Sequence, residues 1–235
     1  DASDIQQFWQ NILDKRVSIR ELPEDILSRE VYYRPELFQS FDKKEKTYTK
    51  MAGWISGFKF DTFRKYKIPP AIADRMDDNQ HASLYTSDQA LRCCKIEMIS
   101  KERTGVIFGN GMVGAHHSYS DNRVVFQHIA HTIQNLLKGN LSEAEIQKLI
   151  QDVQSTVLGK SISITEDSAP GILPNIIAAR VANVFDFHGP SYTIDAACAS
   201  ALASIIHGIQ QLQDNSYDAM VCGASDMTML PLGMI

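Results

Sequence analysis

The strongest candidate for chemistry in this sequence is a cysteine among small residues. Cys198 lies in residues 195–200, which read Asp-Ala-Ala-Cys-Ala-Ser and leave room for a ligand to approach the sulfur. We predict it at the first turn of a long helix, where unpaired N–H groups and the positive end of the helix dipole favour a thiolate and can hold an oxyanion. A buried structural cysteine is the alternative, because free cysteine is among the most buried residue types.

The flanking residues predict a strand before Cys198 and a helix after it. Pro190 starts the strand, where a missing N–H does least harm, and Tyr192 and Ile194 alternate with polar residues. Apolar residues at helical spacing then predict a buried helix face: Leu202, Ile205, Ile206, Ile209 and Leu212. A reactive side chain at a strand-to-helix turn is similar to the nucleophile elbow of hydrolases.

A glycine-rich loop is the second candidate site. Residues 104–109 read as a buried strand, and residues 109–114 follow with the pattern Gly-x-Gly-x-x-Gly. Three glycines after a strand can cradle a phosphate, as in dinucleotide-binding proteins. A tight turn that needs small residues is the alternative.

Histidines could supply a base or a metal ligand. His116 and His117 follow the glycine-rich loop at the strand edge where Cys198 also emerges, so they are the histidines that we expect nearest the thiol. A cysteine hydrolase or acyltransferase that uses His116 or His117 as its base is therefore one hypothesis. His128 and His131 share a helix face, but no acidic residue completes a ligand spacing, so we expect no metal. We also expect no other cofactor.

Composition restricts the possible functions. The 235 residues, 44% apolar and 22% charged, fit one globular domain with a sizeable core. The net charge of −5 argues against a nucleic-acid surface. No apolar run approaches the roughly 20 residues that span a bilayer, and the start has no signal character, so we expect a cytoplasmic protein without a membrane span. The four cysteines form no paired framework and are expected to be reduced.

Strands and helices alternate along the chain, which predicts a layered α/β fold. The apolar spacing predicts a helix over residues 5–13 with Asp4 as its N-cap. A second helix is predicted over residues 141–158, where Ser142 and Glu145 would form a capping box. The chain contains no repeat or linker, so residues 1–235 are interpreted as one domain.

Several of these motifs resemble the β-ketoacyl synthases, the condensing enzymes of fatty acid and polyketide synthesis. The most specific segment is 190–202, with the cysteine run at its centre. Looser matches follow the order of the family: Phe8-Trp9, Leu22-Pro23-Glu24-Asp25, Tyr32-Tyr33, Phe60-Asp61 and Arg75-Met76-Asp77. The cysteine and Arg-Met-Asp segments are most similar to those of iterative synthases for polyunsaturated fatty acids and related polyketides.

The resemblance implies a thiolase-like layered fold, a mixed sheet sandwiched by helices, in which two related halves each contain a five-stranded sheet. It also implies that Cys198 accepts an acyl group from the phosphopantetheine thioester of an acyl carrier protein. A malonyl carrier would then lose CO₂, and its carbanion would attack the acyl-enzyme. Gly111, Met112 and Ala199 would contact the substrate, with Met112 as a gate of the acyl pocket.

The sequence also departs from the family. Members begin with a hydrophobic strand and a glycine-rich turn and carry two catalytic histidines in their second half, and neither feature is found in residues 1–235. We therefore expect the first half of the duplicated fold, a fragment that cannot condense alone and that works in a homodimer or a multidomain synthase. A non-catalytic scaffold or dimerisation protein is a further hypothesis.

Overall fold

The computed structural model describes residues 2–39, 45–57, 59–112, 114–159, 161–228 and 230–231. Val113 of the glycine-rich loop lies outside the described residues. Contacts divide the chain into two compact units, Asp1–Lys59 with Thr228–Ile235 and Phe60–Met227. In the described part of the chain, no helix combines the length and the apolar character needed to cross a membrane.

The first unit contains short elements. The predicted helix α1 (Ile5–Leu13) is present, and the Asp4 carboxylate caps it by accepting from the Gln7 N–H. Strands β1 (Arg20–Glu21) and β2 (Met51–Ala52) form an antiparallel pair, with α2 (Arg29–Tyr32) and a 3₁₀ turn (Pro35–Gln39) between them.

The second unit is organised around three parallel strands, β3 (Thr104–Gly109), β4 (Ser191–Ile194) and β5 (Ala219–Ala224). Their order is β4-β3-β5, and all six residues of the central strand are buried, as predicted. The described residues of this unit form three strands, fewer than the five that the resemblance implies for one half of the fold. Parallel strands with helical connections confirm the predicted layered α/β class.

Helices connect and cover these strands. They are α3 (Thr62–Tyr66), α4 (Pro70–Ala73), α5 (Asp78–Arg92), α6 (Gly114–Leu137), α7 (Glu143–Leu158), α8 (Ser168–Ile172), α9 (Asn175–Phe185) and α10 (Ser200–Gln213). The predicted capping box of α7 is present: the Ser142 hydroxyl accepts from the Glu145 N–H, and the Glu145 carboxylate accepts from the Ser142 N–H. Apolar side chains of α6 and α7, among them Phe126 and Ile146, form a cluster of their own.

Helices cover both faces of the sheet. Successive side chains of a strand point to opposite faces, and Val106 and Phe108 pack into one core with residues of α5 and α9. Gly109 faces the other layer, because a Cβ atom built on it would lie 2.6 Å from the Ser200 backbone at the start of α10. The sheet is therefore sandwiched by helices.

Helix α10 packs on the sheet by the face opposite to the one that we predicted. Its buried residues are small, Ser200, Ser204 and Gly208, and the Ser204 hydroxyl donates to the Gly223 carbonyl of β5 at 3.0 Å. The apolar residues predicted as buried are 40–65% exposed: Leu202, Ile205, Ile206, Ile209 and Leu212. Small side chains let the helix approach the strands closely, so they rather than the apolar row form its contact with the sheet.

One histidine of the second unit is largely withdrawn from water. His81 on α5 stacks on the Phe60 ring with centroids 5.5 Å apart, and its Nδ1 lies 3.1 Å from the Thr62 hydroxyl. Burial lowers the pKa of the His81 imidazole. As the pH falls below about 6.5, the unfolded chain therefore binds this proton more readily than the folded chain, and the free energy of unfolding decreases.

We expect His81→Asn to remove this pH dependence. The difference in free energy of unfolding between the unsubstituted chain and the variant should fall as the pH is lowered from 7.5 to 5.5, as measured by urea denaturation. His128→Asn, the same change at an exposed histidine of α6, is the matched control. A difference that stays constant or grows on acidification would contradict the prediction.

Candidate active site

Cys198 lies on the turn between β4 and α10, which confirms the predicted strand-to-helix turn. A 3₁₀ turn over Ala197–Ala199 carries the cysteine, and α10 begins two residues later at Ser200. Cys198 therefore precedes the helix and does not lie in its first turn, where we predicted it. Ala197 has a φ of 48°, in the left-handed region that costs a residue other than glycine about 1 kcal/mol or more. The sharp reversal leaves Cys198 exposed, so the alternative of a buried structural cysteine is wrong.

Two side chains hold residues 195–200, which we call the cysteine turn. The Asp195 carboxylate accepts from the Ala197 N–H at 2.9 Å. The Ser200 hydroxyl accepts from the Ala196 N–H at 2.8 Å and donates to the Ala197 carbonyl at 2.7 Å. These local bonds compensate the strained backbone of Ala197. Neither role was predicted from the sequence, although an Asp side chain that bonds the backbone two residues on is a known turn signal.

The glycine-rich loop lies against the cysteine turn. The Asn110 N–H donates to the Ile194 carbonyl at 3.1 Å. A Cβ atom on Gly111 would lie 3.0 Å from the Asp195 carboxylate and 3.6 Å from the Ala197 Cα, so glycine permits the close approach. The two segments that the sequence singled out separately therefore form one site at the carboxyl ends of β3 and β4.

The predicted substrate-binding residues occupy different positions around this site. Gly111 contacts the cysteine turn, and Ala199 is an exposed residue of that turn beside Cys198. Met112 follows Gly111 in the loop, and 36% of its surface is exposed. Gly111 and Ala199 therefore lie at the cysteine turn itself, and Met112 follows one residue further along the loop.

Two carboxylates make the loop unfavourable for a phosphate. One is Asp195, next to Gly111, and the other is Asp77, which accepts from the His116 N–H at 3.0 Å. A Cβ atom on Gly114 would overlap the Asp77 carboxylate. A pyrophosphate at this loop would meet both negative charges. The glycines are therefore explained by close packing at the site rather than by dinucleotide binding.

The histidines near the loop do not pair with Cys198. His116 and His117 lie in the first turn of α6, directly after the loop, and the His117 ring is 3.5 Å from the Asp121 carboxylate. Within the described ranges, Cys198 has no hydrogen bond to any histidine. A cysteine hydrolase needs its base in reach of the thiol, so the structure gives that hypothesis no support. The same ranges contain no group of three or more His, Cys, Asp or Glu residues that could hold a metal.

The remaining cysteines differ from Cys198 in their surroundings. All four thiols are free, and Cys93 and Cys94 are exposed at the end of α5. Cys222 of β5 lies half-buried against Gly208 of α10, and burial raises the pKa of its thiol. A raised pKa lowers the thiolate fraction and hence the reactivity of Cys222.

Curated relatives share the sequence over nearly its whole length. One protein of the polyunsaturated fatty acid synthase of Thraustochytrium sp. (strain ATCC 26185 / S-3) is 29% identical over 226 residues, which cover 94% of this chain and 8% of that protein. Polyketide synthase PksL of Bacillus subtilis (strain 168) is 26% identical over 233 residues, which cover 98% of this chain and 4% of that protein. The chain thus spans less than a tenth of either relative.

A solved structure confirms the fold, and a family model identifies the chain. The oxazolomycin ketosynthase domain OzmH KS7 of Streptomyces albus JA3453 superposes with a TM-score of 0.69 at 24% identity, over 99% of this chain and 34% of that chain. The thiolase-like layered fold implied by the resemblance is thereby confirmed. The model of the β-ketoacyl synthase N-terminal domain matches residues 1–235. Because this match spans the whole sequence, the chain belongs to the β-ketoacyl synthase family.

Proposed function

We propose that this chain forms an acyl-enzyme on Cys198, as part of a domain that condenses acyl units in fatty acid or polyketide synthesis. The observation that carries the proposal is an exposed thiol on a braced strand-to-helix turn, with a glycine-rich loop packed against it. Membership of the condensing-enzyme family supports the same chemistry. The two relatives are named as synthases and are far longer than this chain, which supports a role within a multidomain synthase.

In the first step, the Cys198 thiolate attacks the carbonyl carbon of a phosphopantetheine thioester on an acyl carrier protein. The carbonyl oxygen becomes an oxyanion, and the backbone N–H of Cys198 belongs to the oxyanion hole. Collapse of this intermediate breaks the bond between the carbonyl carbon and the carrier sulfur. The carrier leaves as a thiol with the proton that Cys198 gave up, so one thioester replaces another.

In the second step, a malonyl thioester loses CO₂, and the resulting carbanion attacks the acyl carbonyl and releases the Cys198 thiolate. Histidines assist decarboxylation in the enzymes that this sequence resembles. Since no histidine among the described residues is hydrogen-bonded to Cys198, we propose that residues 1–235 by themselves form the acyl-enzyme and do not extend it.

Acylation of Cys198 can be measured directly on the 235-residue chain. Incubation with a hexanoyl N-acetylcysteamine thioester, followed by intact and peptide mass spectrometry, should place one hexanoyl group on Cys198. The rate should saturate with reagent and exceed that at Cys93 or Cys94 by about tenfold. Cys198→Ser should abolish the stable adduct, and Cys222→Ser should retain it. Equal, non-saturating modification of the exposed cysteines would favour the scaffold hypothesis instead.

Extension of the acylated chain is the second measurement. Addition of a malonyl N-acetylcysteamine thioester to the purified hexanoyl-Cys198 protein should yield no β-ketooctanoyl product by mass spectrometry, because decarboxylation lacks its histidines. The control is the same reaction without malonyl thioester, which measures hydrolysis of the adduct. Formation of the extended product would overturn the proposal that residues 1–235 are inactive in condensation.

The proposed gate at Met112 predicts a change in chain-length preference. Met112→Ala removes a flexible apolar side chain next to Gly111, so the ratio of dodecanoyl to hexanoyl transfer onto Cys198 should rise by about tenfold. Met98→Ala replaces a 76% exposed methionine in a 3₁₀ turn outside the glycine-rich loop and should leave the ratio unchanged. An equal ratio in both variants would show that Met112 does not gate the acyl pocket.

A further inference from the structure

The chain segments that leave the three parallel strands meet at one residue, Asn110, through its backbone and its side chain. Asn110 follows β3, and its backbone N–H donates to the Ile194 carbonyl at the end of β4 at 3.1 Å. Its side-chain Nδ2 donates to the Ser225 carbonyl, directly after β5, at 2.7 Å. The Ser225 N–H donates in turn to the Gly109 carbonyl at 3.1 Å. Asn110 is only 5% exposed, so its bonds are shielded from competition by water.

The segment after β5, whose Ser225 carbonyl accepts from the Asn110 side chain, is held in place by helix α5. The Ser225 hydroxyl lies 3.0 Å from the Ser83 hydroxyl of α5, and the Met227 N–H donates to the Asn79 side chain at 2.7 Å. Ser83 and Asn79 are 0% and 2% exposed. Buried polar groups that are fully bonded rigidify their surroundings, so the segment after β5 is a firm support for the Asn110 side chain.

The residues that follow Asn110 and Ile194 in the chain belong to the candidate active site. Asp195 and the rest of the cysteine turn follow Ile194, and Gly111 follows Asn110 itself. Gly111 lies against the cysteine turn. A movement of Asn110 would therefore shift both the loop and the turn that carries Cys198.

We propose that Asn110 is a positioning residue, which sets the placement of the Cys198 thiol relative to a bound acyl group. The inference rests on the proposed acyl transfer to Cys198. The carboxamide is needed for its N–H₂ donor: a carboxylate of the same shape accepts only and would face the Ser225 carbonyl oxygen without a proton between them. Misplacement of a reacting group by about 1 Å can reduce a rate by about a hundredfold.

The test compares Asn110→Asp and Asn110→Ala in the 235-residue chain with hexanoyl N-acetylcysteamine thioester as the probe. For both variants we expect the maximal rate of Cys198 acylation to fall by about tenfold or more. The half-saturating thioester concentration should stay within about twofold, because neither variant substitutes a residue proposed to contact the acyl group. Rates are measured at a temperature at which circular dichroism shows every variant folded.

A matched control separates positioning from a general loss of stability. Thr104 is a buried residue at the amino end of β3, the strand that Asn110 follows. Thr104→Val removes the hydrogen bond from its hydroxyl to the Ser100 carbonyl at 2.6 Å. We expect this variant to lower the melting temperature and to keep the maximal rate within about twofold. Amide hydrogen exchange over residues 195–199 should accelerate in Asn110→Ala and not in Thr104→Val, a readout that requires no acylation.

The outcomes are distinguishable. Failure of the unsubstituted chain to acylate Cys198 overturns the proposed function and this inference with it. Normal acylation of the unsubstituted chain with unchanged maximal rates in both Asn110 variants overturns only the positioning role. A loss of rate in Thr104→Val equal to that in the Asn110 variants also overturns it, because the effect would then follow from stability alone.

Discussion

The buried polar side chains at the start of helix α5 are the constraint on which the arrangement of the site depends. These side chains are at least 96% buried: Asp77, Asn79, Gln80 and Ser83. Asp77 bonds the start of α6, and Gln80 bonds the α8 region. Asn79 and Ser83 both bond the segment after β5, at Met227 and Ser225. Because a buried polar group is costly without its hydrogen bond, each segment is held where its bond is made. The loops around Cys198 are thereby fixed to one helix.

The cysteine turn adds a second, local constraint. Ala197 adopts a backbone conformation that L-residues disfavour, and Asp195 and Ser200 compensate it with three short hydrogen bonds. The result is an exposed thiol that follows the carboxyl end of β4. A strained backbone conformation persists where the surrounding contacts hold it in place, and such places are often functional sites. The side chains that brace the turn are therefore as much a part of the site as the cysteine.

Helix α10 shows why apolar spacing alone does not identify a buried face. Its row of leucine and isoleucine residues has the period of a core-facing stripe, yet the helix contacts the sheet through Ser204 and Gly208. Glycine and serine allow a close approach, and the Cys222 sulfur fills the space beside Gly208. The small residues that permit this close approach, not the apolar row, therefore decide which face of α10 packs on the sheet.

Local features could be predicted from the amino-acid sequence: the strand-to-helix turn at Cys198, the buried strand β3, the capping box of α7, and the motifs that resemble β-ketoacyl synthases. These depend on residues within a few positions of one another, so their spacing is enough to predict them. Three long-range features became visible in the folded chain alone: Gly111 lies against the cysteine turn, no described histidine is hydrogen-bonded to Cys198, and Asn110 bonds Ser225, 115 residues away. Such contacts follow from how strands pair and helices pack, which no local pattern specifies.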